Sequence, residues 1–334
     1  MALRIAINGF GRIGRNVLRA AWERDDIEFV HVNDLTSDEM LAYLLGHDSV
    51  HGGWGDVKAV DGGLSINGQF VSSSAEPDPS KLPWAEKGVD VVLECTGFFK
   101  DREKASKHLE AGARKVMISA PGKNIDGTYV VGVNDGDLGP EARIISNASC
   151  TTNCLAPMAK VLHETVGIES GLITTIHSYT MDQNLLDAPH RGGKFRRARA
   201  AALNMVPTTT GAAKSIGLVY PALIGKLNGM AIRVPTPNAS IVDLVFQASR
   251  PTSVEEINEA IIAAANGPLK GILQAADWPV VSSDIVGNPH SSIFDLELTQ
   301  VIDGTLVKAL TWYDNEWGFS CRMIDLALRL GGLS

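Results

Sequence analysis

Short apolar runs alternate with stretches of helical period through the first half of the chain. Leu3–Arg4–Ile5–Ala6–Ile7 and Ile27–Glu28–Phe29–Val30–His31–Val32 read as strands, and between them Val17, Leu18, Ala21 and Trp22 recur at helical spacing. Residues 52–82 are rich in Gly, Ser and Pro and carry short alternating runs such as Leu64–Ser65–Ile66–Asn67, so strands and loops are expected there, inserted into the α/β pattern. Val89–Asp90–Val91–Val92–Leu93–Glu94–Cys95 reads as a strand apolar on both faces, as in a covered parallel sheet. A helix over 102–111, strands over 115–119 and 129–133, and a strand end at 142–145 complete the series. Alternating strands and helices up to about residue 149 predict a doubly wound parallel sheet, with ligands beyond the carboxyl ends of its strands.

Beyond that point the pattern changes. Leu155, Met158, Ala159, Leu162 and Val166 recur at helical spacing, with Pro157 either in the first turn or kinking a longer helix. Leu172–Ile173–Thr174–Thr175–Ile176–His177–Ser178–Tyr179–Thr180 is a β-branched strand carrying one histidine, and the runs at 229–234 and 241–248 are strand-like. Met323, Ile324, Ala327 and Leu328 mark an amphipathic C-terminal helix, and no internal repeat or low-complexity tract interrupts the chain.

Composition narrows the class. At 334 residues, 45% hydrophobic and 20% charged, the chain is long enough for two domains with large buried cores. A net charge of −8 argues against a general nucleic-acid role, so any phosphate site must be built locally. No stretch approaches the roughly 18 apolar residues of a membrane helix, and the N-terminus runs into a strand without an apolar signal region. Four cysteines are no disulfide framework in a chain this long, and Cys150-x-x-x-Cys154 is not the usual metal spacing. The expectation is a soluble, cytoplasmic, metal-free protein with reduced thiols.

Two stretches carry candidate chemistry. Gly9–Phe10–Gly11–Arg12–Ile13–Gly14 stands between the first strand and the first helix, where a dinucleotide-binding fingerprint belongs. Gly9 permits the tight turn, Gly11 lets the backbone approach a pyrophosphate, Gly14 allows close packing of helix on strand, and the phosphate rests on the helix N-terminus. Asp34 follows the second strand twenty residues after Gly14, where a carboxylate accepts hydrogen bonds from the adenosine ribose. A carboxylate there repels a 2′-phosphate, so NAD is expected over NADP; the bland alternative is a turn or helix cap before Leu35–Thr36.

The second stretch is Ser146–Asn147–Ala148–Ser149–Cys150–Thr151–Thr152–Asn153–Cys154, at a strand-to-helix junction. A cysteine there lies near unpaired backbone N–H groups and the positive end of a helix dipole, both of which favour thiolate. Small polar neighbours suit a cap as well as an active site, so Cys150 reads either as a nucleophile or as a buried small residue. His177 likewise reads either as structural or as the group that takes the thiol proton. Cys154 is a packing residue or a redox partner, and Cys95 and Cys321 are structural.

These stretches belong to a longer series. Asn8–Gly9–Phe10–Gly11–Arg12–Ile13–Gly14–Arg15, the Cys150 block, His177–Ser178–Tyr179–Thr180, Pro207–Thr208–Thr209–Thr210–Gly211–Ala212–Ala213–Lys214, Arg233–Val234–Pro235–Thr236 and Trp312–Tyr313–Asp314–Asn315–Glu316–Trp317–Gly318 follow one another along the chain. Together they resemble the phosphorylating glyceraldehyde-3-phosphate dehydrogenases, from residue 4 to the last helix.

The resemblance implies a discontinuous Rossmann-type NAD-binding domain, residues 1–149 and 313–334, and an α+β catalytic domain, residues 150–312, with a mostly antiparallel sheet. It implies NAD-dependent conversion of D-glyceraldehyde 3-phosphate and inorganic phosphate to 1,3-bisphosphoglycerate through a Cys150 thiohemiacetal and thioester. His177 would handle the protons, and the Cys150 N–H and the His177 side chain would face the developing oxyanion. Thr180, Arg197 and Arg233 would surround the substrate phosphate, and Ser149, Thr151, Thr210 and Gly211 the incoming one. The backbone of Arg12 and Ile13 would meet the pyrophosphate, Asp34 the ribose, Ser119 the nicotinamide half and Asn315 the carboxamide. A homotetramer is implied as well. Without the resemblance, Arg196–Arg197–Ala198–Arg199 reads as a solvated basic loop.

Some positions depart from the family pattern. Pro77 stands where many relatives carry an arginine near the cofactor, and the segment 187–197 is two residues longer than common bacterial versions. Ala188 is shared with photosynthetic members that accept NADP, but Pro189 matches NAD-specific ones, and Asp34 decides for NAD. The alternatives are an erythrose-4-phosphate dehydrogenase, a subfamily that tends to lack the Thr180 and Thr210–Gly211 pattern, and a non-catalytic binding protein on the same fold.

Overall fold

The computed structural model describes residues 2–332. They divide into two compact units: the chain up to Ser149 together with the helix from Ser320 onward, and Cys150–Phe319. The second junction thus falls in the first turn of the last helix, whereas the family pattern places it at 312/313.

The first unit opens with β1 (Leu3–Asn8), α1 (Arg12–Ala21), β2 (Ile27–Asn33) and α2 (Asp38–Gly46). The Gly/Ser/Pro-rich stretch forms β3 (Val57–Val60), β4 (Gly63–Ile66) and β5 (Gln69–Ser74); then come β6 (Val91–Glu94), α3 (Arg102–Glu110), β7 (Lys115–Ile118), β8 (Gly127–Thr128) and β9 (Ile144–Ser146). The sheet order is β3-β4-β5-β2-β1-β6-β7-β9-β8. Every pairing from β5 to β8 is parallel, while β3, β4 and β5 are joined antiparallel. Because β2 lies on one side of β1 and β6 on the other, the chain direction of travel reverses there, which opens a crevice at their carboxyl ends.

Ile5, Ala6 and Ile7 are fully buried, as a strand covered on both faces requires. Trp84 packs with Ala6, Val30, Leu82, Val89, Val92 and Ala113, while Ala105, Val116, Ile118 and Ile144 form a second core. The last helix completes the unit: Lys115 Nζ donates to Leu330 O at 2.7 Å, and Arg329 pairs with Asp135 at 2.9 Å.

The second unit holds α4 (Cys150–Val166), β10 (Ile168–Ser178), β11 (Val206–Thr209), α5 (Ala212–Val219), β12 (Leu227–Val234), β13 (Ser240–Ala248) and α6 (Val254–Asn266). It continues with β14 (Leu273–Ala276), α7 (Ser282–Ile285), β15 (Ser292–Asp295), β16 (Gln300–Ile302), β17 (Leu306–Tyr313) and the start of α8 (Trp317–Gly331). The sheet order is β11-β12-β10-β13-β17-β15-β14, with β16 on β17. It is mostly antiparallel; only β10–β12 and β14–β15 run parallel.

One local expectation is corrected. Residues 129–133 are not a strand. Gly132 takes φ +84°, and the side chains of Asn134 and Asp135 capture the N–H groups of Val130 and Gly132 at 2.8 Å each, so those donors are withdrawn from any ladder. Of the two placements open to Pro157, the longer helix holds: α4 runs from Cys150 to Val166 with Pro157 in its interior. Among the described residues no helix is long and apolar enough to cross a membrane, and no group of three or more His, Cys, Asp and Glu side chains could hold a metal ion.

Candidate active site

A cleft of ≈ 420 Å³ opens at the carboxyl ends of β1, β2 and β6, with Asn8, Gly9, Gly11, Asn33, Asp34 and Thr96 in its lining. Gly9 takes φ +93°, and a Cβ there would stand 2.6 Å from Thr96 N; a Cβ on Gly14 would stand 2.3 Å from Gly9 O. Neither position admits a side chain, so the turn lies flat on β6 and draws α1 onto the sheet. Gly11 occupies the N-cap of α1 with open space where a side chain would be, which leaves the helix N-terminus approachable by an anion.

Asp34 accepts the N–H of Phe10 at 2.7 Å and that of Leu35 at 2.7 Å. It therefore clamps the glycine turn and its own turn, and each oxygen retains a lone pair for a ribose hydroxyl. This glycine cradle with a carboxylate at its rim fits a dinucleotide. The Arg12 side chain turns to Asp48; burial works against that carboxylate, but Arg12 and the N–H groups of His51 and Val50 bring its pKa to about 2. Ser119, just past β7, donates its N–H to Glu94 O at 3.0 Å. Cys95 lies in the cleft lining, and burial pushes its thiol up to about 12.

The second unit carries the nucleophile candidate. Cys150 is the first residue of α4, and Ala148, two residues earlier, holds a left-handed φ of +57°. Cys150 Sγ lies 3.6 Å from Nε2 of His177, which β10 presents. His177 Nδ1 is 2.6 Å from Ser178 O. Two acceptors do not approach that closely, so Nδ1 carries the proton and the Nε2 lone pair faces the sulfur. Arg233 Nη1 donates to Ser178 O at 2.8 Å and to Thr180 Oγ1 at 3.0 Å, and lies 2.9 Å from His177 Nδ1.

Burial dominates the electrostatics of this pair. Burial, then the Arg233 charge, push His177 down to about 3, so the imidazole is neutral. Burial also raises the Cys150 pKa above the ordinary thiol value and outweighs the Arg233 charge and the Thr151 N–H, which lower it. The helix terminus alone therefore does not yield a resting thiolate. The imidazole is thus placed as a neutral base beside the sulfur.

The anion-binding candidates are linked through a residue the sequence reading passed over. Thr180 donates to Asp182, and Arg197 pairs with the same carboxylate. Burial pushes Asp182 up, but Thr180, Arg197 and Arg233 overcome it and hold the carboxyl below its usual range. Arg197 also donates through Nε to Thr208 Oγ1 at 3.0 Å and through Nη2 to Thr209 O at 3.4 Å, which ties it to β11 and the approach to α5. Thr210 Oγ1 accepts the Ala212 N–H at 3.2 Å, and Gly211 is the N-cap of α5.

Cys150, His177, Arg233, Thr180 and Arg197 are thus joined in one network, with Thr208–Gly211 attached. Thr151 belongs to the same centre: its hydroxyl is buried 2.9 Å from Tyr313 OH, and both that hydroxyl and its N–H act on the Cys150 sulfur. Asn315 accepts from Ser240 Oγ at 2.9 Å through Oδ1, so its amide nitrogen is the end available for recognition. Ser149 lies in the other unit.

The sequence model described as "Glyceraldehyde 3-phosphate dehydrogenase, C-terminal domain" matches residues 149–315, and the one described as "Glyceraldehyde 3-phosphate dehydrogenase, NAD binding domain" matches residues 3–102. The chain belongs to the glyceraldehyde-3-phosphate dehydrogenase family. It is 58% identical to a glyceraldehyde-3-phosphate dehydrogenase of Geobacillus stearothermophilus, with 98% of each chain covered. It is 56% identical to the enzyme of that name in Xanthobacter flavus over the whole of both chains, and 55% identical to glyceraldehyde-3-phosphate dehydrogenase 1 of Bacillus subtilis over 98% of each. As a member of that family it is an NAD-dependent oxidoreductase.

Two residues of this candidate site escaped the sequence reading. Asp182 carries only the signal of a carboxylate two residues past Thr180, and nothing local shows that Arg197 returns to it. Tyr313 was more legible. Val307, Ala309, Thr311 and Tyr313 alternate as the buried face of β17, so a hydroxyl buried there needs partners; it finds Thr151 and Thr175, both at 2.9 Å.

Proposed function

We propose that the protein oxidises D-glyceraldehyde 3-phosphate, with NAD and inorganic phosphate, to 1,3-bisphosphoglycerate in the cytoplasm, using Cys150 as nucleophile. The observation that supports this most directly is the 3.6 Å approach of Cys150 Sγ to the unprotonated nitrogen of His177. A neutral base held by its far nitrogen takes the thiol proton as the sulfur attacks the aldehyde carbon. The oxygen of the adduct then meets the Cys150 N–H and the protonated His177, and takes up a proton as the thiohemiacetal. NAD bound in the first unit supplies the hydride acceptor. As the carbonyl re-forms, the thiohemiacetal hydroxyl proton passes to His177 Nε2. Phosphate oxygen attacks the resulting thioester carbon, and the sulfur leaves, recovering its proton from His177.

In this reading Arg233, Thr180 and Arg197 hold the substrate phosphate, with Asp182 keeping the two guanidinium groups oriented. Thr210, Gly211, Ser149 and Thr151 receive the attacking phosphate. Gly9, Gly11, and the backbone of Arg12 and Ile13 cradle the pyrophosphate, Asp34 the adenosine ribose; Ser119 and the Asn315 amide nitrogen serve the nicotinamide half. The cofactor domain is the first unit and the catalytic domain the second.

A homotetramer accords with the apolar surface between Met181 and Met205, where Met181 is 87% and Phe195 90% exposed and Leu185, Leu186 and Leu203 are exposed as well. A cytoplasmic site accords with cysteines that remain thiols.

The test is NADH formation from glyceraldehyde 3-phosphate with and without inorganic phosphate, in the wild type and in Cys150→Ser. Phosphate-dependent turnover that the substitution abolishes is the expected result. Turnover that survives the substitution, or a faster rate with erythrose 4-phosphate, overturns it.

A further inference from the structure

The strands that open the dinucleotide cleft are joined at their very ends by side chains. Ser74, Asn33, Asn8 and Glu94 are the last residues of β5, β2, β1 and β6. Ser74 Oγ donates to Asn33 Oδ1 at 2.7 Å, Asn33 Nδ2 to Asn8 Oδ1 at 2.7 Å, and Asn8 Nδ2 to Glu94 Oε2 at 2.6 Å. Hydrogen bonds of the backbone hold strands together along their length, and this row of side chains links the strand ends to one another at the crevice.

Glu94 terminates the row and is fully buried. Its Oε1 accepts the Thr96 N–H at 2.8 Å and the Thr96 hydroxyl; its Oε2 also meets His108 Nε2 at 3.1 Å. Behind His108, the Trp84 indole donates to Nδ1 at 3.0 Å. An indole N–H only donates, so Nδ1 is the acceptor and Nε2 bears the hydrogen that points at Glu94. Every group facing the carboxylate is therefore a donor. Trp84 and His108 are fully buried as well, and none of Glu94, His108 and Trp84 lines the cleft.

The glycine turn depends on this arrangement. Gly9 lies against the backbone of Cys95 and Thr96, with its absent Cβ 2.6 Å from Thr96 N, the same N–H that Glu94 holds. Moving Thr96 therefore moves the floor on which the turn rests. We propose that Glu94, backed by His108 and Trp84, is the positioning residue of the cofactor cleft: it sets the relative placement of Asn8, Thr96 and the Gly9 turn, and so the affinity for NAD, without touching the dinucleotide. This rests on the reading of the cleft as the NAD site.

The test is calorimetric titration of NAD into the wild type, Glu94→Gln, Trp84→Phe and Asp34→Ala, with thermal midpoints and the rate of Cys150 alkylation by iodoacetamide in NAD-free protein. Glu94→Gln sets an amide NH₂ against a donor and should raise the Kd about tenfold, the effect of one unsatisfied buried group. Trp84→Phe releases the His108 tautomer and should raise the Kd in the same direction from outside the cleft. Adding His108→Gln to Trp84→Phe, which restores a donor to Glu94 without needing the indole, should return the Kd to within about twofold of the wild type. Cys150 alkylation should be unchanged throughout.

If Glu94→Gln and Trp84→Phe lower the thermal midpoint while the Kd stays put, with Asp34→Ala weakening NAD as expected, the network only packs the domain and the proposal is wrong. If Asp34→Ala also leaves the Kd unmoved, the cleft has been misassigned and the proposal falls with it. Should Glu94→Gln fail to fold, the Kd of Trp84→Phe and its rescue decide.

Discussion

Arg233 holds Nη1 2.9 Å from Nδ1 of His177, and its charge bears on Cys150 too. One cation thus works on both the imidazole and the thiol: it makes His177 a weaker base and Cys150 a stronger acid.

Removing that charge moves both groups the same way. In Arg233→Met the His177 pKa should rise toward its ordinary value and the Cys150 pKa should climb further. The midpoint for iodoacetamide alkylation of Cys150 should move about one unit toward alkaline pH. A profile that stays in place would mean that the guanidinium does not tune the sulfur.

Asp182 connects Thr180 to Arg197. Asp182→Asn keeps the shape and removes the charge that pairs with Arg197 and acts on Arg233. The expected result is a fall of about tenfold in kcat/KM for glyceraldehyde 3-phosphate, carried mainly by KM, with NAD binding unaffected. Steady-state kinetics with each substrate varied in turn provide the check.

Asp34 is both a clamp on the glycine turn and the group that would oppose a 2′-phosphate. Asp34→Ala should weaken NAD and relieve the repulsion at once. The ratio of kcat/KM for NAD over NADP should drop by about tenfold or more. An unchanged ratio would show that cofactor choice is made elsewhere.

His31 gives the fold a pH dependence. Its ring nitrogens sit 2.8 Å from Ser72 Oγ and 2.8 Å from Ser74 Oγ, and burial, then Lys87, lower its pKa from 6.5 to about 4. The folded protein holds this ring neutral, while the unfolded chain binds a proton below 6.5. Stability is therefore lost as pH falls from about 6.5 to about 4, at about 1.4 kcal/mol per pH unit from this residue, and the loss levels off below. His177 acts with the same sign. Urea unfolding of the wild type and His31→Gln at pH 7 and pH 5 should show a smaller acid loss in the variant, by about 2 kcal/mol.

The apolar surface between Met181 and Met205 predicts its own readout. Phe195→Asp should shift the sedimentation coefficient toward smaller species, because a charge desolvated in a subunit interface is costly. An unchanged sedimentation coefficient would mean that this surface is not an interface between copies.

Much of this architecture was legible along the chain because its causes are local. A strand covered on both faces must be apolar at successive positions, and a turn at φ +93° with backbone 2.6 Å from the missing Cβ needs glycine. Those constraints are written into β1 and Gly9, and ordered blocks of such constraints identify the family. The short strand expected at 129–133 failed for an equally local reason, since Asn134 and Asp135 follow it and take its donors.

The chemistry of the pair was a different matter. The residues Cys150 and His177 can be named from the sequence, but their 3.6 Å separation, the neutral imidazole and the raised thiol pKa belong to the assembled site. So do the return of Arg197 to Asp182 and the turning of the Thr151 hydroxyl to Tyr313. Backbone conformation is decided by neighbours in the chain, so residue types report it; desolvation and charge pairing are decided by neighbours in space, and only the folded molecule brings those together.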